Sequence, residues 1–228
     1  MDNRLNAFIS LAELFENHGY KLYLVGGTVR DYLLGLPLSD MDAVTDATPI
    51  DVIKFLPDAD TTFAHLGSLK YKDNSGVKFD ITTLREESGY LDSRHPSKVN
   101  FVKDPKDDYK RRDFTVNAMY MDKDLKIYDY CDGQKDLENR ILRMVGNPDQ
   151  RLKEDPLRII RCLRFSLTYN LTIEQKLEKA LMSSIKYLDM LSKDKIVMEM
   201  KKIIDVDREK MNELFDKYSI KHLLDVIE

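Results

Sequence analysis

Gly26 and Gly27 follow the short apolar run Lys21–Val25 and precede Thr28-Val29-Arg30-Asp31. Glycines between a strand and a helix let backbone N–H groups approach a phosphate closely, and a helix N-terminus favours negative charge there. Arg30 adds a cationic donor. The next notable residues are Asp40-Met41-Asp42. On a strand, period 2 points both carboxylates to one side. Two hard oxygen ligands on one side suit Mg²⁺ that is also held by substrate phosphates. Either feature alone is ordinary, a glycine turn or a solvated acid pair. Together at this spacing they point to phosphate chemistry. Asp80, in the apolar run Lys78-Phe79-Asp80-Ile81-Thr82-Thr83, is a candidate third carboxylate for a two-metal site. An exposed strand face accounts for it equally well.

Two later constellations carry further chemistry. In Arg111-Arg112-Asp113-Phe114-Thr115-Val116-Asn117, a helix over about Tyr109–Met119 would put Asp113 and Asn117 on one face at i, i+4. That face offers acceptors and an amide for a ribose, and the arginines offer forks for phosphate. A charged, solvated helix start is the competing reading. In Glu154-Asp155-Pro156-Leu157-Arg158-Ile159-Ile160-Arg161, Asp155 and Arg158 are i, i+3 neighbours at a helix start. As a surface ion pair they would contribute a few tenths of a kcal/mol. As a base reader, Asp155 would accept from the cytosine or adenine amino group, and uracil or guanine would present a carbonyl there instead. The segment Lys98–Arg112 has six basic and three acidic residues, which fits a phosphate-backbone track or a solvated loop.

The elements that must position these groups follow from patterning. Residues 3–18 have a helical apolar period, stopped at Asn17-His18-Gly19. Strands are expected at Lys21–Val25, Met41–Val44, Ser68–Lys72, Val77–Leu84 and Ile127–Tyr130. Helices are expected over 28–34 and from Thr48-Pro49 to Phe55 or Leu56, the latter with a Thr N-cap and Pro at N1. Residues 86–104 read as a long polar loop. After about residue 148 no strand signal remains, and four or five helical segments follow. The expected division is a head over 1–140 and a helical part over 141–228.

Composition bounds the classes. The chain has 228 residues, 43% hydrophobic and 33% charged, so it is globular rather than disordered. Its net charge of −4 excludes binding nucleic acid by bulk charge, although not through a local basic groove. Residues 136–228 hold 18 basic and 17 acidic side chains, so the acidity lies in the first part. Cys131 and Cys162 show no metal-ligand spacing and are too few for a disulfide framework, so a reducing cytoplasmic setting is expected. No apolar run is long enough to span a membrane, and the N-terminus has no signal pattern.

Taken together, the segments resemble the class II tRNA nucleotidyltransferase/bacterial poly(A) polymerase family. The matching stretches are residues 22–45, 79–101, 111–119, 128–143 and 154–165, in the family's order. The resemblance implies an α+β fold: a polymerase-β-like nucleotidyltransferase head with a mixed sheet, then an all-helical neck and short body. It implies template-independent, Mg²⁺-dependent addition of C and A to the 3′ end of tRNA from CTP and ATP, with two ions expected. Asp40 and Asp42 would hold the metal, with Asp80 assisting. Gly26, Gly27 and Arg30 would hold the triphosphate, and Arg111, Arg112, Asp113 and Asn117 the ribose and phosphates. Asp155 and Arg158 would act as the protein template, with Arg161 beside them in the nucleotide site. Residues 86–104 match the family's flexible loop at full length, which favours complete CCA addition over CC-only addition.

Two departures stand out. Where the family's neck has a Glu-Arg pair, this chain reads Asp194-Lys195, with a shorter acid and no guanidinium fork. Familiar members also continue beyond the position of Glu228 into domains that grip tRNA. Either the chain is a piece of a longer protein, or it is a naturally small enzyme whose tRNA grip comes from the head, the neck, a second copy or a partner chain. The rival readings are poly(A), CC-only or A-only addition, adenylyl transfer to a non-RNA acceptor, and an inactive RNA-binding remnant.

Overall fold

The computed structural model describes residues 3–39, 41–90, 96–203 and 208–226. Two compact units emerge. The first is built from Met1–Ser88, Lys98–Arg112 and Val116–Gln134; the second is built on Lys135–Glu228 and also takes Asp113–Thr115. The head-and-neck division expected from sequence was a single cut near 140. The second unit's claim on Asp113–Thr115 follows from pairing: Phe114 bridges Met144, and Thr115 N–H donates to the Arg143 carbonyl at 3.0 Å.

In the first unit, the helical period yields α1 (Asn3–Asn17), which buries Leu5, Phe8, Leu11, Ala12 and Phe15. Burying a phenylalanine contributes about 1.5–3 kcal/mol. Gly19, at φ +81°, ends the helix, and Tyr20 N–H reaches back to the Phe15 carbonyl at 3.0 Å. Then come β1 (Leu22–Val25), α2 (Gly27–Leu33), β2 (Met41–Thr45) and α3 (Pro49–Val52). Thr48 caps α3 as its sequence implied, accepting from Asp51 N–H, but α3 ends at Val52, short of the expected Phe55 or Leu56. The hairpin β3 (Ser68–Lys72) and β4 (Lys78–Thr83) turns at Gly76, φ +90°.

Residues 86–104 are not one irregular loop. β5 (Arg85–Tyr90) and β6 (Pro96–Phe101) form a separate two-stranded sheet. The helix expected over Tyr109–Met119 is absent as well. The chain forms α4 (Pro105–Asp108), 3₁₀ turns at Tyr109–Arg111 and Thr115–Asn117, and then β7 (Met119–Met121). Arg112 is extended (φ −72°, ψ 162°), which breaks any helix between them. Burial of Phe114, Val116, Ala118, Met119 and Tyr120 outweighs the local helical pattern.

With β8 (Ile127–Asp129), the main sheet has the order β3-β4-β2-β1-β7-β8. It is mixed: β2 and β4 run parallel, and the other pairs are antiparallel. All four residues of the central strand β1 are buried. One sheet face carries Tyr23, Val44, Val25 and Tyr120, which cluster with Leu84.

The second unit contains β9 (Ile141–Leu142), α6 (Pro148–Glu154), α7 (Leu157–Thr168), β10 (Thr172–Ile173), α8 (Gln175–Ser184), α9 (Lys193–Met200) and α10 (Arg208–Lys217), preceded by α5 (Gly133–Glu138) at the junction. Helices dominate. The strand pair missed in the sequence is two residues long on each side, with β10 parallel to β9. α7 buries Leu157, Ile159, Ile160, Leu163 and Phe165 and packs against α6, α9 and α10. Among the described residues, no helix is long and apolar enough to cross a membrane.

Candidate nucleotidyl-transfer site

Gly26 sits at φ 68°, ψ −129°, in the mirror image of the extended region, which side chains with a Cβ avoid. Its N–H donates to the Met119 carbonyl at 3.4 Å, and the Arg30 N–H donates to the Gly26 carbonyl at 3.2 Å. The turn is thus tied to β7 while opening α2. Thr28, buried, accepts the Asp42 N–H on its Oγ1 at 3.1 Å. That bond couples the glycine turn to the strand that carries the acid.

Arg30 is buried, and its guanidinium is fixed on two sides. Nε donates to Asp31 Oδ1 at 2.9 Å, and Nη1 donates to Asn117 Oδ1 at 2.5 Å. A Cβ at Gly27 would lie 3.3 Å from Arg30 Nη2. Glycine there therefore lets the arginine lie against the turn.

Asp42 is half-buried on β2, and the β2–β4 register sets it directly opposite Asp80. Paired residues of parallel strands share a face, so both carboxylates lie on one side of the sheet. Asp80 is exposed, with Lys70 Nζ at 3.9 Å. Asp40 lies outside the described residues. Among the described residues, no three His, Cys, Asp or Glu side chains converge as a metal cage. The Asp42–Asp80 pair supplies hard oxygens on one face, and such a donor set fits a Mg²⁺ that takes its remaining ligands from phosphate and water.

Asp108 is the residue that the sequence reading missed. It is fully buried, and its carboxylate accepts from Arg111 Nε (2.8 Å), Arg112 Nη2 (2.8 Å), Tyr120 Oη (2.8 Å) and the Arg85 N–H (3.0 Å). Burial alone would raise its pKa, but Arg112 and Arg111 hold it well below the usual carboxylate range. Burial likewise opposes charge on Arg112, and Asp108 more than offsets it. Arg112 Nε also meets Tyr120 Oη at 3.0 Å, and its Nη1 would lie 3.9 Å from a Cβ at Gly26. Arg111 reaches Glu87 at 3.6 Å. Arg111 and Arg112 are therefore held in an ion-pair cluster around Asp108, with Arg112 beside the glycine turn, rather than forming an open basic track. The i, i+3 and i, i+4 spacing of Asp108 to the arginines was the available signal.

Asp113 and Asn117 do not share a helix face. Asn117 belongs to the first unit, against Arg30, whereas Asp113 in the second unit accepts from Arg161 Nε at 2.8 Å. Between them the chain forms the Phe114–Met144 bridge and a short 3₁₀ turn at Thr115–Asn117, so no α-helical face forms. Although burial would raise the Asp113 pKa, Arg161 holds it down.

The other residues expected to read the base also lie in the second unit. Asp155 accepts the Leu157 N–H at 3.1 Å, helping to start α7, and sits 3.9 Å from Arg158 Nε. Arg158 is buried, donates to the Arg151 carbonyl at 2.7 Å and lies 3.5 Å from Glu154. The pair is thus more than a solvated surface contact.

The acid that supports α7 is Glu199, not Asp194. Glu199 is buried and meets Lys202 at 2.7 Å, Arg164 at 3.1 Å and Arg161 at 3.9 Å, while Asp194 is exposed. The helical period places Glu199, rather than the residue at the start of α9, on the buried face with Ile196 and Met200.

The poly A polymerase head domain family matches residues 22–143. A CCA-adding enzyme of Staphylococcus epidermidis is 42% identical over 192 residues, covering 83% of this chain and 47% of the relative. The CCA-adding enzyme of Staphylococcus haemolyticus is 41% identical over 194 residues, covering 85% and 48%. The chain thus spans about half the length of these curated relatives. The crystal structure of the Bacillus stearothermophilus CCA-adding enzyme in complex with CTP matches with a TM-score of 0.87 and 30% identity, covering 96% of this chain and 53% of that one. On a family match over more than half of its length, the chain belongs to the poly A polymerase head domain family.

Proposed function

We propose that this chain performs template-independent addition of C and A nucleotides to the 3′ end of tRNA, using CTP and ATP. The observation that carries the reading is the register that sets Asp42 opposite Asp80, with Asp42 tied through Thr28 to the Gly26-Gly27 turn and Arg30. Acid pair, glycine turn and fixed arginine meet in one unit, as nucleotidyl transfer requires. The names of the relatives point to the same reaction.

In this reading Asp40 and Asp42 hold Mg²⁺, two ions in all, with Asp80 contributing from β4. When bound, the ions lower the pKa of the attacking 3′-hydroxyl and offset charge on the leaving pyrophosphate. Gly26, Gly27, Arg30, Arg111 and Arg112 hold the phosphates, and their fixed positions stabilise charge without reorganisation during the step. The RNA 3′-oxygen attacks the α-phosphorus in line, and pyrophosphate departs. Asn117 keeps Arg30 aligned and serves the ribose. Asp155, Arg158 and Arg161 read the base. Residues 1–140 act as the catalytic head and 141–228 as the neck. The tRNA substrate implies a cytoplasmic setting.

The test is incorporation into tRNA lacking its 3′ CCA, with CTP and ATP supplied separately and together, followed by sequencing of the ends. CTP alone should add two C residues, and both nucleotides should complete CCA. Homopolymeric A tails, or label on a non-RNA acceptor, would replace this reading with a rival.

A further inference from the structure

We propose that Asp108 is a positioning residue: it aims Arg112 at the glycine turn and so sets affinity for the triphosphate. The idea rests on the nucleotidyl-transfer reading and names a residue through which that site is built.

The geometry divides the Arg112 guanidinium. Nε and Nη2 are directed to Asp108 Oδ2 and Tyr120 Oη, while Nη1 lies against Gly26. A long arginine side chain has several rotamers, and fixing it costs rotamer entropy. Charge-assisted bonds to a buried carboxylate offset that cost before any ligand arrives. The Tyr120 ring, at 5.1 Å from the guanidinium carbon, closes one side. Asp108 also fixes Arg111 and, through the Arg85 N–H, the start of β5. Without that charge, the Arg112 guanidinium would lose its charge-assisted bonds to the carboxylate while its contact with the neutral Tyr120 hydroxyl remained, and Nη1 would lose its aim.

The experiment measures CTP and inorganic tripolyphosphate binding by calorimetry on the full chain. It compares wild type, Asp108→Asn, Arg112→Ala and the double variant, with circular dichroism melts alongside. Asp108→Asn should lose about tenfold affinity for both probes, equivalent to about 1.4 kcal/mol. It should add little when Arg112 is already alanine, because the effect passes through that side chain. A folded Asp108→Asn with unchanged affinity, a loss confined to CTP, or losses that multiply in the double variant would overturn the proposal. If Asp108→Asn melts early, Tyr120→Phe carries the test: removing the shared hydroxyl should weaken tripolyphosphate about threefold, and unchanged affinity overturns the proposal. A wild-type chain that binds neither probe also overturns it. A chain that binds both but incorporates nothing defeats the functional reading and leaves the role of Asp108 standing.

Discussion

Replacing Gly26 with alanine isolates what the glycine turn contributes. The new Cβ would meet no atom closer than 3.9 Å, so crowding is not the problem. The backbone is: φ 68°, ψ −129° is strained for any residue with a Cβ, at about 1–3 kcal/mol. The chain can bear that strain as lost stability or relieve it by moving the turn. Moving the turn would break the Gly26 N–H to Met119 bond and the first α2 bond to Arg30. Gly35→Ala is the control. It also has positive φ, 66°, with open space around it, and should cost about 1–2 kcal/mol through the backbone alone. Urea unfolding midpoints should therefore fall for both variants. Calorimetry should show CTP affinity reduced about tenfold or more for Gly26→Ala, a loss of about 1.4 kcal/mol, and unchanged for Gly35→Ala. Equal CTP affinity in the two variants, with Gly26→Ala folded, would refute the assignment of this turn to phosphate.

Further expectations follow from other residues. Asp42→Ala should lower incorporation by about a thousandfold or more while melting like the wild type, as expected for loss of a metal ligand; near-normal rates in Mg²⁺ would remove the metal assignment. Arg158→Ala should relax selection of CTP and ATP over UTP and GTP, measured by competition incorporation on a CCA-less tRNA. Glu199→Gln should cost about 3 kcal/mol in urea unfolding by leaving buried arginine charge under-compensated, whereas Asp194→Asn on the exposed start of α9 should stay within about 0.5 kcal/mol. Asp108, whose folded pKa is depressed below its ordinary 3.8, contributes stability that is full above that value and is lost as pH falls toward its folded pKa. Acid unfolding of a folded Asp108→Asn variant should therefore be less steep below about pH 4 than that of wild type.

The local pattern carried much of the layout of these elements. Glycines before a helix, the acids around Met41, and the alternation of Lys78–Thr83 were enough to expect the turn before α2, the strand bearing Asp42 and the strand beside it. These are short-range signals, because backbone freedom at glycine and the two-residue period of a strand act on neighbours only. The segment 109–119 shows the limit. Its i, i+4 spacing mimics a helix face, yet Phe114 and the residues after it are drawn into the core, and the helix never forms. Asn117 consequently serves Arg30, 87 residues away, and Asp113 serves Arg161, 48 residues away.

Sequence by itself determined the residue types, the helices and strands with strong periods, and the acids and glycines able to do phosphate chemistry. The tertiary structure decided which acid meets which arginine. It set Asp80 opposite Asp42 by strand register, made Asp108 the anchor of three segments, and chose Glu199 over Asp194 behind α7. The reason is physical. A buried charge must be matched by whatever partner the fold brings within about 3–4 Å. That partner is set by long-range packing, which no local spacing in the chain encodes.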